Sequence, residues 1–470
     1  MSRDTSAVGN PSLGRTGSDP SLAGAGVAGV AVPAPDLPAT ISRRLTGGAF
    51  VRVSYTWSVE DRPDQVRSPL RIADGSPPGT PSLLRAMNAR TLLDRLRRDG
   101  STTRAQLARE TGLSKPTVSM ALANLERAGL VREVGRESPP RGRAGLLYEL
   151  DASAAFVMGI DIGRAFIRVA VADLSGDIVA RRDERNRARS AQAVVRAVAD
   201  LAHDVASTGE LSWAQVVHTV VGSPGIFDPA SGRLRLAPNL PGWSRRGLVD
   251  ALREALGSSL VIENDANLAA LGERSYGRGA NADTFVYVSV GTGVGMGIVI
   301  DGELYRGVHG VAGEIGFLPL PGTDSSDPHA RVRGLLEQAA SADAVVRNAR
   351  GLDMRGPLSA KRVFAAAREG DQQALAAVEK EAERLALVVA TIAAILDPEL
   401  VVLGGGVGHN TDLLRGPLES TLRELTPLEL SIVDSALGQD AIVLGAVATA
   451  LDSAHELVFE QRMGGRVAAG

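Results

Sequence analysis

The sequence predicts an α/β protein in which a short helical module with a β-hairpin precedes a larger body. Three observations lead to this class. In residues 81–150, helical segments separated by glycines are followed by two strand-like runs. From about residue 155, β-rich runs alternate with helical stretches, which is typical of α/β domains. The 470 residues are 44 % apolar and 22 % charged, as in globular proteins of two or three domains.

The first 80 residues differ in composition from the rest of the chain. They are rich in Gly, Pro, Ser and Ala, as in "GAGVAGVAVPAPDLPA" and "DGSPPGTPS". Such segments bury too little apolar surface to offset the entropy of an ordered chain. We therefore predict that residues 1–80 form a disordered extension, with a later translation start at Met87 as the alternative.

Charge is distributed unevenly along the chain. The net charge is only −3, yet residues 81–150 hold thirteen Arg and Lys against seven Asp and Glu. A basic block beside an acidic body indicates a nucleic-acid-binding module, with chance unevenness as the alternative.

Capping residues and glycines divide the basic block into three helices. The first ends at Gly100, and the second begins after Thr103 and ends at Gly112. The third begins after Ser114 and ends at Gly129. Two strand-like runs, "LVREVG" and "GLLYEL", then flank the loop "RESPPRGRA".

Short helices joined by a glycine turn and followed by a hairpin predict a winged helix-turn-helix at residues 81–150. The alternative is an ordinary three-helix bundle with a solvated basic face. In such a reader, the start of the third helix reaches base edges and phosphates, and the wing contacts backbone phosphate or the minor groove. The expected DNA contacts are Ser114, Lys115, Thr117, Val118, Ser119, Arg141 and Arg143. Readers of this kind usually bind paired half-sites, so we expect operator DNA as partner and a homodimer or homotetramer.

Four glycine-rich or polar strand ends stand out in the body. They are "GIDIGRAFIRVAVADLSG" (159–176), "VIENDANLAALGE" (261–273), "VSVGTGVGMGIVIDG" (288–302) and "PELVVLGGGVG" (398–408). A glycine turn lets backbone N–H groups approach anionic oxygens, so the first resembles half of a nucleotide-binding site. Each motif alone has little specificity, because glycines at strand ends often only form tight turns.

Their order is that of the actin/hexokinase-like ATPase fold, and residues 81–460 resemble the ROK family (repressors, open reading frames and sugar kinases) in its regulator branch. "GLSKPTVSMALANLERAGLV", "GSPGIFDP", "APNLPGW", "GVAGEIGFLPL" and "GLLEQAAS" complete the match. The resemblance implies a two-lobed, ribonuclease H-like body at residues 155–460. The linker "ELDASAAF" between the two parts is short enough for a rotation of the lobes to reposition the DNA-reading helices.

The resemblance implies a sugar site in the cleft of this body. In the family's kinases the aspartate matching Asp265 is the general base toward a sugar hydroxyl. Residues matching Asn239, Asn264, Glu314 and Glu337 hydrogen-bond other hydroxyls. The alternative for Asn264 and Asp265 is a helix N-cap, and both roles can hold together.

The phosphate loop departs from the family's kinase pattern. Asp-x-Gly-Gly-Thr is replaced by Asp161-Ile162-Gly163-Arg164-Ala165, which adds a side chain where backbone approaches phosphate and removes a hydroxyl donor. We therefore expect a catalytically degenerate body with no enzymatic activity and no cofactor. The alternative is an active ATP-dependent sugar kinase with an appended DNA-binding domain.

The metal site of the family is also altered. Phe317 stands at the position of the family's histidine, and the chain contains no cysteine. Only His329, Asp324 and Asp327 remain nearby as ligands, so we expect no bound metal.

Together these features predict a transcriptional repressor of carbohydrate genes whose effector is a sugar or sugar phosphate. A regulator with a vestigial cleft and no ligand is a further alternative. The apolar stretch "LALVVATIAAIL" (385–396) is too short to cross a bilayer. We expect no membrane association and a cytoplasmic location.

Overall fold

A computed structural model describes residues 81–137, 145–228, 231–237, 240, 242–257, 259–320 and 330–464. The extension predicted for residues 1–80 lies outside the described residues. The helices are α1 (Pro81–Asp99), α2 (Arg104–Thr111), α3 (Lys115–Arg127), α4 (Ala191–Thr208), α5 (Leu248–Leu256), α6 (Asp265–Tyr276), α7 (Ala330–Arg333), α8 (Leu335–Ala339), α9 (Ala342–Gly351), α10 (Ala360–Arg368), α11 (Gln372–Leu396), α12 (Gly405–Gly408), α13 (Thr411–Leu425) and α14 (Ala441–Phe459). The strands are β1 (Thr102–Thr103), β2 (Val131–Glu137), β3 (Gly145–Leu150), β4 (Phe156–Ile162), β5 (Phe166–Asp173), β6 (Ile178–Arg185), β7 (Val216–Ser223), β8 (Ile226–Asp228), β9 (Arg233–Arg235), β10 (Ser259–Asn264), β11 (Phe285–Val290), β12 (Val294–Ile300), β13 (Glu303–Leu304), β14 (Leu400–Gly404) and β15 (Ile432–Asp434).

The first three helices and three strands form a winged helix. β2 and β3 pair antiparallel as the wing, and the short β1 adds to the outer edge of β3. Thr103 caps α2 by accepting a hydrogen bond from the N–H of Gln106 at 3.3 Å, and Gly112 ends that helix with a φ of 70°. These local signals place α2 and α3 where the sequence predicts them.

The body consists of two lobes that repeat one sheet topology. The first sheet has the order β10-β7-β4-β5-β6, and the second has the order β13-β12-β11-β14-β15. In each sheet an antiparallel meander continues into two parallel strands. This doubled arrangement confirms the predicted two-lobed, actin/hexokinase-like α/β body.

Helices α6 and α14 pack together with almost no side chain between them. A Cβ atom added at Gly445 would lie 1.8 Å from the carbonyl oxygen of Leu268, and one at Gly272 would lie 2.3 Å from that of Ala441. The same helix α14 packs closely against β4, where a Cβ on Gly159 would lie 2.7 Å from the carbonyl oxygen of Val443. α14 is therefore fixed to both α6 and the first sheet.

Helix α14 is long and apolar enough to cross a membrane by length and composition. Its apolar residues are nevertheless buried within the protein, including Val443, Val447, Ala450 and Val458. They belong to one core cluster with Leu92, Leu122 and other winged-helix residues. α14 is thus a core helix that joins the winged helix to the body.

Candidate functional site

The start of helix α3 is the exposed part of the winged helix that the sequence assigns to DNA. Ser114 is its N-cap, and its hydroxyl lies 3.3 Å from the N–H of Thr117 and 2.8 Å from the Thr117 hydroxyl. Ser114 and Lys115 are exposed, and Thr117 and Ser119 are partly exposed. These side chains share one accessible helix end, as a DNA-reading helix requires.

Val118 does not belong to this surface. Its side chain is fully buried, in the core cluster that includes Leu122 and Leu125. The expected DNA contact by Val118 is therefore wrong, because its position on the inner stripe of α3 directs it into the domain. The wing arginines, Arg141 and Arg143, lie outside the described residues, and their role stays a prediction.

The cleft of the body is bordered by the junction of β10 and α6. Asn264 is the N-cap of α6: its Oδ1 accepts from the N–H groups of Ala266 at 2.9 Å and Asn267 at 3.2 Å. Its Nδ2 also donates to the carbonyl oxygen of Gly225 at 3.2 Å. The capping role proposed for Asn264 is thus present, and its contact with sugar stays a prediction.

Four carboxyl groups of the cleft are linked by their effects on pKa values. Burial raises the pKa of Asp265 to about 7, and the charges of Asp161 and Glu314 add to that rise. Burial likewise raises the pKa of Glu314 to about 7, with a further contribution from Glu337. The structure therefore brings Asp265, Glu314 and Glu337 into one electrostatic neighbourhood.

Glu337 is held in place by the second sheet. It is 9 % exposed, and its Oε2 accepts from the N–H of Val294 at 3.2 Å. Arg333 lies one helical turn before it, with its Nε 3.5 Å from the Glu337 carboxylate. Asn239, the remaining expected sugar contact, lies outside the described residues.

The altered phosphate loop is a tight turn between β4 and β5. The N–H of Gly163 donates to the carbonyl oxygen of Phe166 at 2.9 Å, which leaves Arg164 and Ala165 exposed at the tip. Asn186 closes the turn from β6, donating from its N–H to Ala165 O at 3.0 Å and from Nδ2 to Gly163 O at 2.9 Å.

An arginine is bound to the aspartate of this loop. Arg168 Nη1 lies 2.7 Å from Asp161 Oδ2, and its Nη2 donates to Gln439 at 2.9 Å. Asp161 is 2 % exposed, and burial raises its pKa to about 6 although Arg168 opposes the rise. Sequence reasoning missed Arg168, yet a single charge within the apolar alternation of "FIRVAVAD" was a usable signal.

Comparisons with known families agree with both parts of the chain. The ROK family model matches residues 157–453, and a MarR family model matches residues 86–144. The chain belongs to the ROK family.

Regulators and kinases are both found among its ROK relatives. The xylose repressor of Caldicellulosiruptor bescii is 26 % identical over 387 residues, which cover 79 % of this chain and 96 % of the repressor. A glucokinase of Thermotoga maritima is 31 % identical over 329 residues, which cover 66 % of this chain and 98 % of the kinase. The repressor thus aligns with a longer part of the chain than the kinase does.

Solved ROK structures show the same architecture. A ROK transcriptional regulator described as a homologue of the Escherichia coli Mlc protein superposes with a TM-score of 0.66 at 21 % identity, covering 81 % of this chain and 99 % of its own. A ROK glucokinase from Streptomyces griseus, in complex with glucose and AMPPNP, gives a TM-score of 0.56 at 27 % identity, covering 63 % of this chain and all of its own.

The zinc ligands considered from the sequence, His329, Asp324 and Asp327, lie outside the described residues of the ROK body. Phe317 is described and is 36 % exposed in a short 3₁₀ turn. Among the described residues, no three His, Asp or Glu side chains group closely enough to hold a metal ion. The expectation that no metal binds stays a prediction.

Helix α14 and the turn that follows it (Glu460–Gly464) contact the winged helix directly, which sequence reasoning did not foresee. Arg462 Nη1 donates to the carbonyl oxygens of Ala128 at 3.1 Å and Gly129 at 2.9 Å, at the C-terminal end of α3. Glu456 accepts two hydrogen bonds from Arg90 of α1, at 3.1 and 3.0 Å. The ROK body and the DNA-reading helix therefore share a physical connection through α14.

Proposed function

We propose that this chain is a transcriptional repressor of carbohydrate genes that binds operator DNA and senses a sugar without phosphorylating it. The observation that carries the proposal is that α14 packs against both the cleft helix α6 and the winged helix. A ligand in the cleft and DNA at α3 would thus contact parts of the protein that α14 joins. The xylose repressor relative, which aligns over most of the chain, supports the same function.

The side chains of the cleft have hydrogen-bonding groups suited to a polyol ligand. With pKa values of about 7, Asp265 and Glu314 are partly protonated near neutral pH. A protonated carboxyl both donates and accepts hydrogen bonds, as does a sugar hydroxyl. Glu337 and the two amides, Asn239 and Asn264, would contribute further donors and acceptors in fixed directions.

Two features of the body support the proposal that it has no kinase activity. Arg164 and Ala165 form the exposed tip of the phosphate turn, where a kinase of the family has glycine and threonine. The Arg168 guanidinium also compensates the charge of Asp161 at 2.7 Å, so this carboxylate attracts a metal–nucleotide complex less strongly. The Asp265 position would then serve recognition of the sugar alone.

The proposed DNA contacts are Ser114, Lys115, Thr117 and Ser119 on α3, with Arg141 and Arg143 on the wing. A homodimer or homotetramer would present two reading helices to paired half-sites. We place this regulator in the cytoplasm, where operator DNA and imported sugar meet.

Binding to DNA from the region flanking its own gene tests the proposal. We expect specific binding that glucose, xylose or another sugar of a broad panel weakens, measured by fluorescence anisotropy. Arg141→Gln with Arg143→Gln should weaken binding to all duplexes and reduce the salt slope by roughly one for each DNA phosphate that is no longer neutralised. Thr117→Ala should instead change sequence preference. Binding that no sugar alters, or wild-type salt dependence in the arginine double variant, would contradict the corresponding assignment.

A coupled ATP assay with the same sugar panel addresses the kinase alternative. We expect no turnover above background for the wild-type protein. Turnover that disappears in Asp265→Asn would instead establish the active kinase.

A further inference from the structure

We propose that the altered phosphate turn is an anion subsite that binds the phosphate group of a phosphorylated sugar. The subsite consists of the turn Gly163–Phe166 with the side chains of Arg164 and Arg185. This inference rests on the proposed sugar-sensing function and specifies the chemical class of its effector.

The first support is the polar surface that the turn presents. Asn186 occupies the carbonyl oxygens of Gly163 and Ala165 at 2.9 and 3.0 Å. The N–H groups of Arg164 and Ala165 have no acceptor within the described part of the chain. Successive N–H groups at a turn whose carbonyls are bound elsewhere form a surface that attracts anions.

Arginines without acidic partners flank this turn. The Arg185 guanidinium lies 5.5 Å from the centroid of the Phe166 ring, and the Arg168 guanidinium lies 5.4 Å from the same ring. Arg168 is paired with Asp161, whereas neither Arg164 nor Arg185 has a carboxylate partner among the described residues. Two guanidinium groups therefore remain available beside the turn, and guanidinium groups bind phosphate well through paired donors.

The subsite lies beside the sugar-binding end of the cleft. Asp161 and Arg168 are register partners on β4 and β5, and Phe166 and Arg185 are partners on β5 and β6. Strand alternation places Asp161, Arg168, Phe166 and Arg185 on one face of the sheet. Strand β7 pairs with β4 at Asp161 and with β10 at Asn264, so Asp161 and the adjacent Asp265 lie at the same edge of the first sheet, where one ligand can reach both. Because Arg168 offsets the charge of Asp161, that carboxylate repels an incoming phosphate less.

Inorganic phosphate is the probe that tests the subsite independently of the sugar. At constant ionic strength, phosphate should raise the melting temperature of wild-type protein but not of the Arg164→Gln, Arg185→Gln double variant. Arg182→Gln is the matched control, since Arg182 is exposed on the same strand but pairs with Asp204 of α4 on the other face. If phosphate stabilises all three proteins equally, it binds as an adventitious ion only, and the proposal is overturned.

Paired sugars and esters then test the effector class by isothermal titration calorimetry. Glucose, mannose, N-acetylglucosamine and xylose are compared with their terminal phosphate esters. Because the arginines would form charge-assisted hydrogen bonds with the phosphate, we expect at least one ester to bind about 10- to 100-fold more tightly than its parent sugar. This difference should appear in wild type and in Arg182→Gln. In the double variant that ester should bind with roughly the affinity of the parent sugar.

The outcomes separate this inference from the proposed function. Free sugars that bind as tightly as their esters would overturn the subsite and leave the sugar sensor intact. If neither sugars nor esters bind, the sensing function fails, while the inorganic phosphate experiment still decides the subsite. If MgATP binds and the esters do not, the anion comes from a nucleotide and the assignment to sugar phosphate is overturned.

Discussion

Single residues show which functional side chains sequence motifs identify and which they miss. Asp265, Glu314 and Glu337 belong to recognisable motifs, and in the structure Glu314 raises the pKa of Asp265 while Glu337 raises that of Glu314. Arg168 belongs to no motif, because its partner Asp161 becomes its neighbour only through strand pairing. Val118 shows the opposite error: the motif marks the start of a reading helix, but helical geometry buries this side chain.

A buried glutamate in the second lobe offers a residue-scale prediction about pH. Glu381 of α11 is fully buried, neither carboxylate oxygen has a hydrogen-bond partner among the described residues, and burial raises its pKa to about 8. Arg384 and Arg347 oppose that rise. Because the folded state binds this proton more tightly than the unfolded state, its contribution to stability is lost as pH rises from about 4.5 through 8.

Replacing Glu381 with Gln should remove this loss. We expect Glu381→Gln to increase the free energy of unfolding relative to wild type at pH 9, on the order of 3 kcal/mol, and to have little effect at pH 5. Urea denaturation at both pH values measures the difference. Glu379→Gln, an exposed neighbour on α11, is the control and should show little dependence on pH. A benefit that is equal at both pH values would contradict the titration of Glu381.

At the scale of elements, the sequence predicted those helices and strands whose ends are set by nearby capping residues and glycines. Caps and glycines bounded α2 and α3, and glycine-rich or polar strand ends marked β4, β10, β11 and β14. Helix α14 was missed because it is buried on several faces, so its sequence lacks the one-sided apolar periodicity of a surface helix. The two-residue β1 exists only through its pairing with β3 and carries no signal of its own.

The crossing of α6 and α14 gives an element-scale prediction. Gly445→Ala should destabilise the protein by about 1–3 kcal/mol, because its Cβ would lie 1.8 Å from Leu268 O and force the helices apart. Gly416→Ala in α13 is the matched control, since a Cβ there meets no atom within 4 Å. The control should change stability little, because alanine has the higher helix propensity but Pro417 disfavours a Cβ on the helical residue before it. Thermal unfolding of both variants measures the contrast, and equal effects would exclude a close helix crossing.

At the scale of the whole molecule, the question is how a ligand in the cleft alters DNA affinity. The sequence suggested the linker "ELDASAAF", and the structure shows this segment held at both sides. Leu174 N–H donates to Ala152 O at 3.0 Å, and Arg462 of the C-terminal segment donates to Ala154 O. The linker and α14 thus form one connection, which local sequence patterns could not reveal because its parts are about 300 residues apart.

This connection predicts variants that uncouple sugar sensing from DNA binding. A ligand changes DNA affinity only through different free energies of binding to two conformations, and coupling of about 1–3 kcal/mol corresponds to roughly 5–150-fold. Glu456→Gln combined with Arg462→Gln weakens the polar contacts with Arg90 of α1 and with the carbonyl oxygens at the end of α3, and leaves the apolar packing of α14 in place. We expect this double variant to bind sugar as wild type does while the sugar loses its effect on operator affinity. Asp265→Ala and Glu337→Ala should lose the response for the opposite reason, because sugar binding itself fails.

Calorimetry with sugar and anisotropy with operator, each in the presence and absence of the other ligand, distinguish these two classes. Arg415→Gln is the control, because its pair with Glu419 lies on the surface of α13 away from the winged helix. It should keep both affinities and their coupling. If the Glu456 and Arg462 double variant retains the full sugar effect, coupling does not pass through these polar contacts. If that variant no longer binds operator in the absence of sugar, these contacts are instead needed for the winged helix to fold. DNA affinity would then fall although no sugar is present.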